Sequence, residues 1–177
     1  KPVIMVFGGS LGAASVNDAV RKALPSLLND FQVVHICGKD KIDETLKRQA
    51  GYVQFEYVKA ELKDLFAMAD VVISRAGANS ICELLALKKP NLLIPLSANS
   101  SRGDQILNAK SFESQGFSMV IDDDLLTPEL LAEKAIELYF TRQTYIEAMG
   151  RSNQFGSIKT IMKLIESETA AGQAKTK

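Results

Sequence analysis

The runs Val71-Val72-Ile73 and Leu92-Leu93-Ile94 are apolar at every position. A strand wetted on one side alternates apolar and polar residues, so these two need cover on both faces, as in a parallel sheet with helices above and below. Elsewhere short β-branched runs alternate with longer amphipathic stretches, the pattern of consecutive βα units. Strands are expected at Val3 to Phe7, Phe31 to Cys37, Val53 to Tyr57, Val71 to Ser74, Asn91 to Ile94 and Phe117 to Ile121, with helices filling the gaps. The first helix puts Val16, Val20, Leu24 and Leu27 on one stripe, with Asn17, Asp18 and Arg21 away from it, a helical spacing suited to packing on a sheet. The expected fold is α/β, a Rossmann-like three-layer sandwich around a six-stranded parallel sheet. Six such strands most often take the order 3-2-1-4-5-6, which sets strands one and four side by side at the switch point where ligands bind.

The remaining segments constrain less. The helix expected from about Lys41 to Ala50 is mostly charged, with Ile42 and Leu46 as its apolar contacts, and reads as a solvated outer element. Asp122-Asp123-Asp124 reads as a solvated turn rather than a metal site. Behind it, Thr127, Pro128 and Glu129 supply the cap, first-turn proline and acidic dipole partner of a helix. A last helix carries Ile158, Ile161, Met162 and Ile165 on one face. Beyond Glu166 apolar residues thin out, so one domain is expected over residues 1–166 and a disordered tail over 167–177. The chain enters its first strand at once and without an initiator Met, which reads as a piece of a longer chain.

Composition narrows the function. Lys+Arg and Asp+Glu both number 21, and a formal net charge of zero argues against nucleic-acid binding. No stretch approaches the roughly 18 apolar residues of a membrane helix. Cys37 and Cys82 lack CxxC spacing and have only His35 as a nitrogen ligand, so they read as two reduced, mostly buried thiols rather than a zinc site or disulfide.

Two glycine turns carry the chemistry. Gly8-Gly9-Ser10-Leu11-Gly12-Ala13 joins the first strand to the first helix. Glycines let backbone approach an anion, and a helix N-terminus offers free N–H groups and partial positive charge. Alone, this turn equally fits any tight strand-to-helix connection, since it matches neither GxGxxG nor a P-loop. Ser74-Arg75-Ala76-Gly77-Ala78-Asn79-Ser80 makes a second such turn after the fourth strand. With strands one and four adjacent, two helix N-termini converge on one crevice, which favours a diphosphate over a single anion. Ser80 and Glu83 have the S-x-x-E spacing of a capping box, while Glu83, facing the crevice, could instead accept both hydroxyls of a ribose. The polar loop from Pro95 leads to Asp104 and Gln105, an acceptor and an amide able to bond neighbouring sugar hydroxyls, although Asp104 equally suits a helix start. His35 has no partner spaced for a triad and reads as packed, so no catalytic base, metal site or cofactor is assigned.

Together these segments closely resemble the C-terminal half of the MurG family. The resemblance rests on Gly8 to Ala13, His35 to Lys39 with its terminal Gly38-Lys39, Ala69 to Ala78, Glu83, Asp104-Gln105 and Asn108-Ala109, in that order, within a similarity from Val3 to about Ile165. Members are UDP-N-acetylglucosamine:undecaprenyl-diphospho-muramoyl-pentapeptide N-acetylglucosaminyltransferases of the GT-B fold, two Rossmann-like domains facing a cleft. The resemblance implies that this chain is the donor-binding half. It implies that Gly9, Ser10 and Gly12, with Gly77, Ala78, Asn79 and Ser80, cradle the diphosphate, while Arg75 orders the second turn. It implies that the main chain of Val58 reads the uracil edge, Leu62 packs on the ring, Glu83 holds the ribose diol, and Asp104 and Gln105 contact N-acetylglucosamine. It further implies an inverting transfer that converts lipid I to lipid II at the cytoplasmic face of the bacterial membrane. The acceptor site, the membrane-docking face and the general base would belong to the other half. A piece of this extent is then expected to be soluble and to bind donor without turnover. Two other functions would share the diphosphate turns: a UDP-glucose or UDP-galactose diacylglycerol glycosyltransferase domain, and a non-catalytic nucleotide-binding module.

Overall fold

The structure, a computed structural model, describes residues 1–8, 12–98 and 103–152. Six parallel strands form one sheet in the order β3-β2-β1-β4-β5-β6. They are β1 (Val3–Phe7), β2 (Gln32–Ile36), β3 (Tyr52–Phe55), β4 (Val71–Ser74), β5 (Asn91–Leu93) and β6 (Met119–Val120). The helices are α1 (Ala14–Leu27), α2 (Leu62–Met68), α3 (Ala78–Ala86), α4 (Asp104–Ser114) and α5 (Pro128–Gly150). The expected sandwich and strand order are both present, and β1 and β4 pair directly, with Val6 opposite Ile73.

The unbroken apolar strands are explained by two cores. Ile4, Val6, Val71, Ile73, Leu92 and Ile94 point to one face, where α1 and the first part of α5 cover them. Met5, Val72 and Leu93 point to the other, against Phe66, Ile81, Leu84 and Phe112. Helix α5 serves both. Leu131, Ala135 and Leu138 lie in the first core and Met149 in the second, with Tyr145 touching each. Its start is the expected one, because the Thr127 hydroxyl accepts the Leu130 amide at 3.1 Å and Pro128 occupies the first turn.

Some expectations are corrected. No helix spans Lys41 to Ala50; only a 3-10 turn at Glu44–Leu46 forms there. Asp43 caps it by accepting the Thr45 amide at 2.9 Å, and Gly51 at φ 81° turns the chain into β3. With Ile42 and Leu46 as its apolar residues, the segment has too small a stripe to hold a longer helix on the sheet. Cys37 is buried as expected, whereas Cys82 lies exposed on the outer side of α3. Asn17, placed away from the apolar stripe of α1 by periodicity, is buried with it. Edge strand β6 shrinks to two residues because only Leu92 and Leu93 pair with it. The helix expected around Ile158 to Ile165 and the tail over 167–177 lie outside the described residues.

The two faces of α5 should respond differently to truncation. Leu138→Ala opens a cavity in the first core and should cost about 2–5 kcal/mol in urea unfolding. Phe140→Ala, at a residue 76% exposed, should stay within about 0.5 kcal/mol of the parent.

Candidate functional site

The carboxyl ends of β1 and β4 border a cavity of about 620 Å³ lined by Gly8, Gly12, Ala13, Ala14, Ser15, Lys41, Arg75, Leu96, Gln105 and Asp123. It lies at the switch point of the sheet, where the crevice was expected. Helix α1 opens onto it from Ala13 and α3 begins nearby from Gly77; neither helix has a side-chain cap. Their first-turn N–H groups therefore keep the partial positive charge that α5 spends on Thr127.

Arg75 closes the floor. Its guanidinium donates to the Ile94 and Pro95 carbonyls at 3.0 and 3.2 Å and to Ser15 Oγ at 2.7 Å. It also pairs with Asp123 at 2.9 Å, the two side chains being 8% and 13% exposed. Ser15 donates in turn to Asp123 at 2.8 Å. Asp123 is thus a nearly buried ion-pair partner within the cavity, which corrects the reading of the acidic run as a solvated turn at this one residue; Asp122 and Asp124 are exposed. Of the expected donor residues, this cavity gathers Gly12, Arg75 and Gln105. Gln105 Oε1 accepts the Leu96 amide at 3.1 Å, tying the start of α4 to the loop after β5.

A second cavity, about 570 Å³, lies between α2 and α3 and gathers Leu62 and Glu83 with Phe66, Ala86 and Leu87 and a rim of Lys59, Lys63 and Lys89. Glu83 is exposed. The capping box is overturned: α3 starts at Ala78 with Gly77 as its N-cap, and the Ile81 amide already bonds the Gly77 carbonyl at 3.0 Å. Ser80 is therefore inside the helix, so it cannot cap it, and the Glu83 carboxylate is not engaged with a helix start. Between Arg75 and Glu83, Gly77 is the N-cap of α3 and Ala78, Asn79 and Ser80 are its first three residues; Ala78 and Asn79 are exposed. Asn108 holds the segment leading into α3 by donating to the Ala76 carbonyl at 3.0 Å. Val58 packs partly buried on the second core, and Asp104 is exposed at the first position of α4. Gly9 and Ser10 lie outside the described residues.

Behind Gly12, which packs on the Cys37 carbonyl, runs a buried polar chain. Asn17 Nδ2 donates to the Cys37 carbonyl at 2.8 Å, and its Oδ1 lies 2.9 Å from His35 Nε2. His35 Nδ1 lies 2.8 Å from the Tyr52 hydroxyl. Since Asn17 presents an acceptor, Nε2 carries the proton and Tyr52 donates to Nδ1. Burial, then the Arg21 charge, pushes the His35 pKa down to about 3, so the ring stays neutral. Periodicity missed Asn17, and Lys41 and Ser15 were missed as cavity-lining residues. Lys41 was hidden in a segment read as solvated helix. The order Asn17 then His35 in two adjacent elements was the available signal for the buried chain.

The six-stranded parallel sheet with its helices is the fold of the C-terminal half of GT-B glycosyltransferases. Residues 3–165 match the model of the glycosyltransferase family 28 C-terminal domain, and the chain belongs to that family. It is 60% identical over 166 residues to the UDP-N-acetylglucosamine--N-acetylmuramyl-(pentapeptide) pyrophosphoryl-undecaprenol N-acetylglucosamine transferase of Lachnospira eligens, covering 94% of this chain and 47% of that protein. The identically named protein of Clostridium novyi is 55% identical over 166 residues, covering 94% and 46%. Among solved structures, Acinetobacter baumannii MurG superposes with a TM-score of 0.76 at 25% identity, over 94% of this chain and 50% of that one. The chain spans about half the length of the curated relatives it matches.

Two outcomes test the buried groups. Arg75→Met should cost about 3–5 kcal/mol in urea unfolding because Asp123 is left as an uncompensated buried charge; adding Asp123→Asn should recover part of the loss. For His35, the unfolded chain gains a proton below pH 6.5 that the folded chain refuses until about pH 3. Its contribution is thus fully present above pH 6.5 and falls by up to roughly 1.4 kcal/mol per pH unit as pH drops through that window. Unfolding curves from pH 7 to 4 should show this slope flattened in His35→Gln.

Proposed function

We propose that the chain binds UDP-N-acetylglucosamine as the donor half of the transferase that converts lipid I to lipid II. The observation that carries this reading is that two cavities between them gather Gly12, Arg75 and Gln105 in one and Leu62 and Glu83 in the other. One is bordered by the Gly12 turn and the uncapped start of α1, with Arg75 beneath it, and suits a diphosphate. The other presents the Glu83 carboxylate beside Leu62 and suits a ribose diol and an apolar ring. The names of the relatives support the same donor. In this reading Gly9, Ser10 and Gly12, with the turn at Gly77 to Ser80, cradle the two phosphates, and Val58 offers main-chain groups to the base. Asp104 and Gln105 meet hydroxyls of the sugar, and Arg75 orders the turns.

The acceptor's 4-hydroxyl attacks the anomeric carbon from the face opposite the leaving group. The bond to the β-phosphate oxygen breaks, UDP departs, and a β-1,4 linkage forms with inversion. The backbone N–H groups and dipoles of α1 and α3 stabilise the charge that develops on the departing diphosphate. The acceptor lipid, the base that takes its proton and the surface that meets the cytoplasmic membrane face belong to the remaining half of the full-length protein. Among the described residues no helix is long and apolar enough to cross a membrane.

Titration calorimetry tests the proposal. UDP and UDP-N-acetylglucosamine should bind, and Glu83→Ala should weaken UDP by about 1–3 kcal/mol, the cost of a lost charged hydrogen-bond partner. The chain alone should release no UDP in the presence of acceptor. Preference for UDP-glucose would point instead to a diacylglycerol glycosyltransferase, and absence of UDP binding at millimolar concentration would remove the donor reading.

A further inference from the structure

We propose that Asn17, oriented by His35, is a positioning residue that sets the anion-binding turn at Gly12, an inference that rests on the diphosphate reading of that cavity. Gly12 has φ +67°, and a Cβ built on it would lie 2.0 Å from the Cys37 carbonyl oxygen. Glycine is therefore required twice, for the backbone conformation and for the contact. The oxygen that Gly12 packs against is the one that accepts the Asn17 side-chain amide at 2.8 Å. Asn17 thus fixes the surface on which the turn rests, and its own backbone amide bonds the Ala13 carbonyl at 2.8 Å at the other side of the turn.

A carboxamide can flip end for end, and a flip would present oxygen to the Cys37 carbonyl and repel it. His35 prevents this. The Cys37 carbonyl can only accept, so Asn17 Oδ1 faces His35; Nε2–H donates to it, and Nδ1 is left to accept from the Tyr52 hydroxyl. The chain runs in one direction, from Tyr52 on β3 through His35 on β2 and Asn17 on α1 to the carbonyl under Gly12. Each member has its donor and acceptor matched, which makes the arrangement rigid.

The two isosteric halves of histidine separate positioning from packing. His35→Gln keeps an amide donor near the Nε2 site and so preserves the bond to Asn17; His35→Asn keeps an acceptor near the Nδ1 site and loses it. Both variants sacrifice one buried bond, so thermal melting should fall to a similar extent. UDP affinity by calorimetry should stay within about twofold in His35→Gln and weaken about tenfold in His35→Asn. Asn17→Asp, which cannot donate to Cys37, should behave like His35→Asn. Nitrogen relaxation of the Gly12 amide in the ligand-free protein should remain rigid in wild type and His35→Gln and drop below an order parameter of about 0.6 in the other two. Equal UDP affinity and equal Gly12 rigidity in His35→Gln and His35→Asn would overturn the proposal and leave the chain as core packing. A wild type that ignores UDP while Gly12 responds as expected would sink the diphosphate reading and leave the positioning of the turn standing.

Discussion

The buried guanidinium of Arg75 is the interaction on which the carboxyl edge of the sheet depends. Four segments distant in sequence meet there: the start of α1 through Ser15, the end of β4, the end of β5 through the Ile94 and Pro95 carbonyls, and the turn after β6 through Asp123. A charge taken out of water is costly unless its partners are near ideal, so the arrangement is stable only when all four segments are in place together. This makes the cavity an all-or-none feature of the fold. The same residue explains why the loop after β5 and the turn after β6, which are unrelated by sequence motif, both contribute to one wall.

A second constraint acts on the opposite side of the cavity. The close approach of Gly12 to the Cys37 carbonyl ties the first glycine turn to the end of β2, while the Asn17, His35 and Tyr52 chain extends that tie to β3. The cavity is therefore gripped from both directions along the sheet, by a charged cluster toward β5 and β6 and a neutral one toward β2 and β3. The choice is consistent with the electrostatics. A protonated imidazole buried beneath the turn would have no counter-charge, and burial together with Arg21 keeps His35 neutral instead.

The fold was legible because each strand's apolar character is a local property of a few residues. Val71 to Ile73 and Leu92 to Ile94 announce cover on both faces, and strand order follows from the βα alternation. Thr127-Pro128-Glu129 was legible for the same reason, since a cap is written in consecutive residues. What failed depends on contacts across the sheet. Asn17 looks like a surface residue of α1 until β2 supplies the Cys37 carbonyl and His35. Asp123 looks solvated until Arg75 arrives from β4. Ser80 has capping spacing, but Gly77 starts the helix three residues earlier, and spacing alone does not choose between the two. The charged stretch after Lys41 has helical composition but too few apolar residues to be held on the sheet, so local bonds to Asp43 and Gln54 decide its path.

The balance of charge in the cavity bears on how such a site would act on a diphosphate. Asp123 lies in the same space as Arg75 and already answers its charge at 2.9 Å. In the proposed reading, attraction for the diphosphate then rests chiefly on the uncapped N–H groups at the starts of α1 and α3, with Lys41 lining the same cavity. Groups fixed in the backbone in this way need no rearrangement as charge moves onto a leaving oxygen, so in that reading they would favour the transition state over the intact donor. A site built instead from several uncompensated cations would hold donor, transition state and released UDP alike, which tightens binding without lowering the barrier. In the donor-binding reading proposed above, the Arg75 and Asp123 pair thus shapes the cavity while withholding the surplus charge that would trap released UDP.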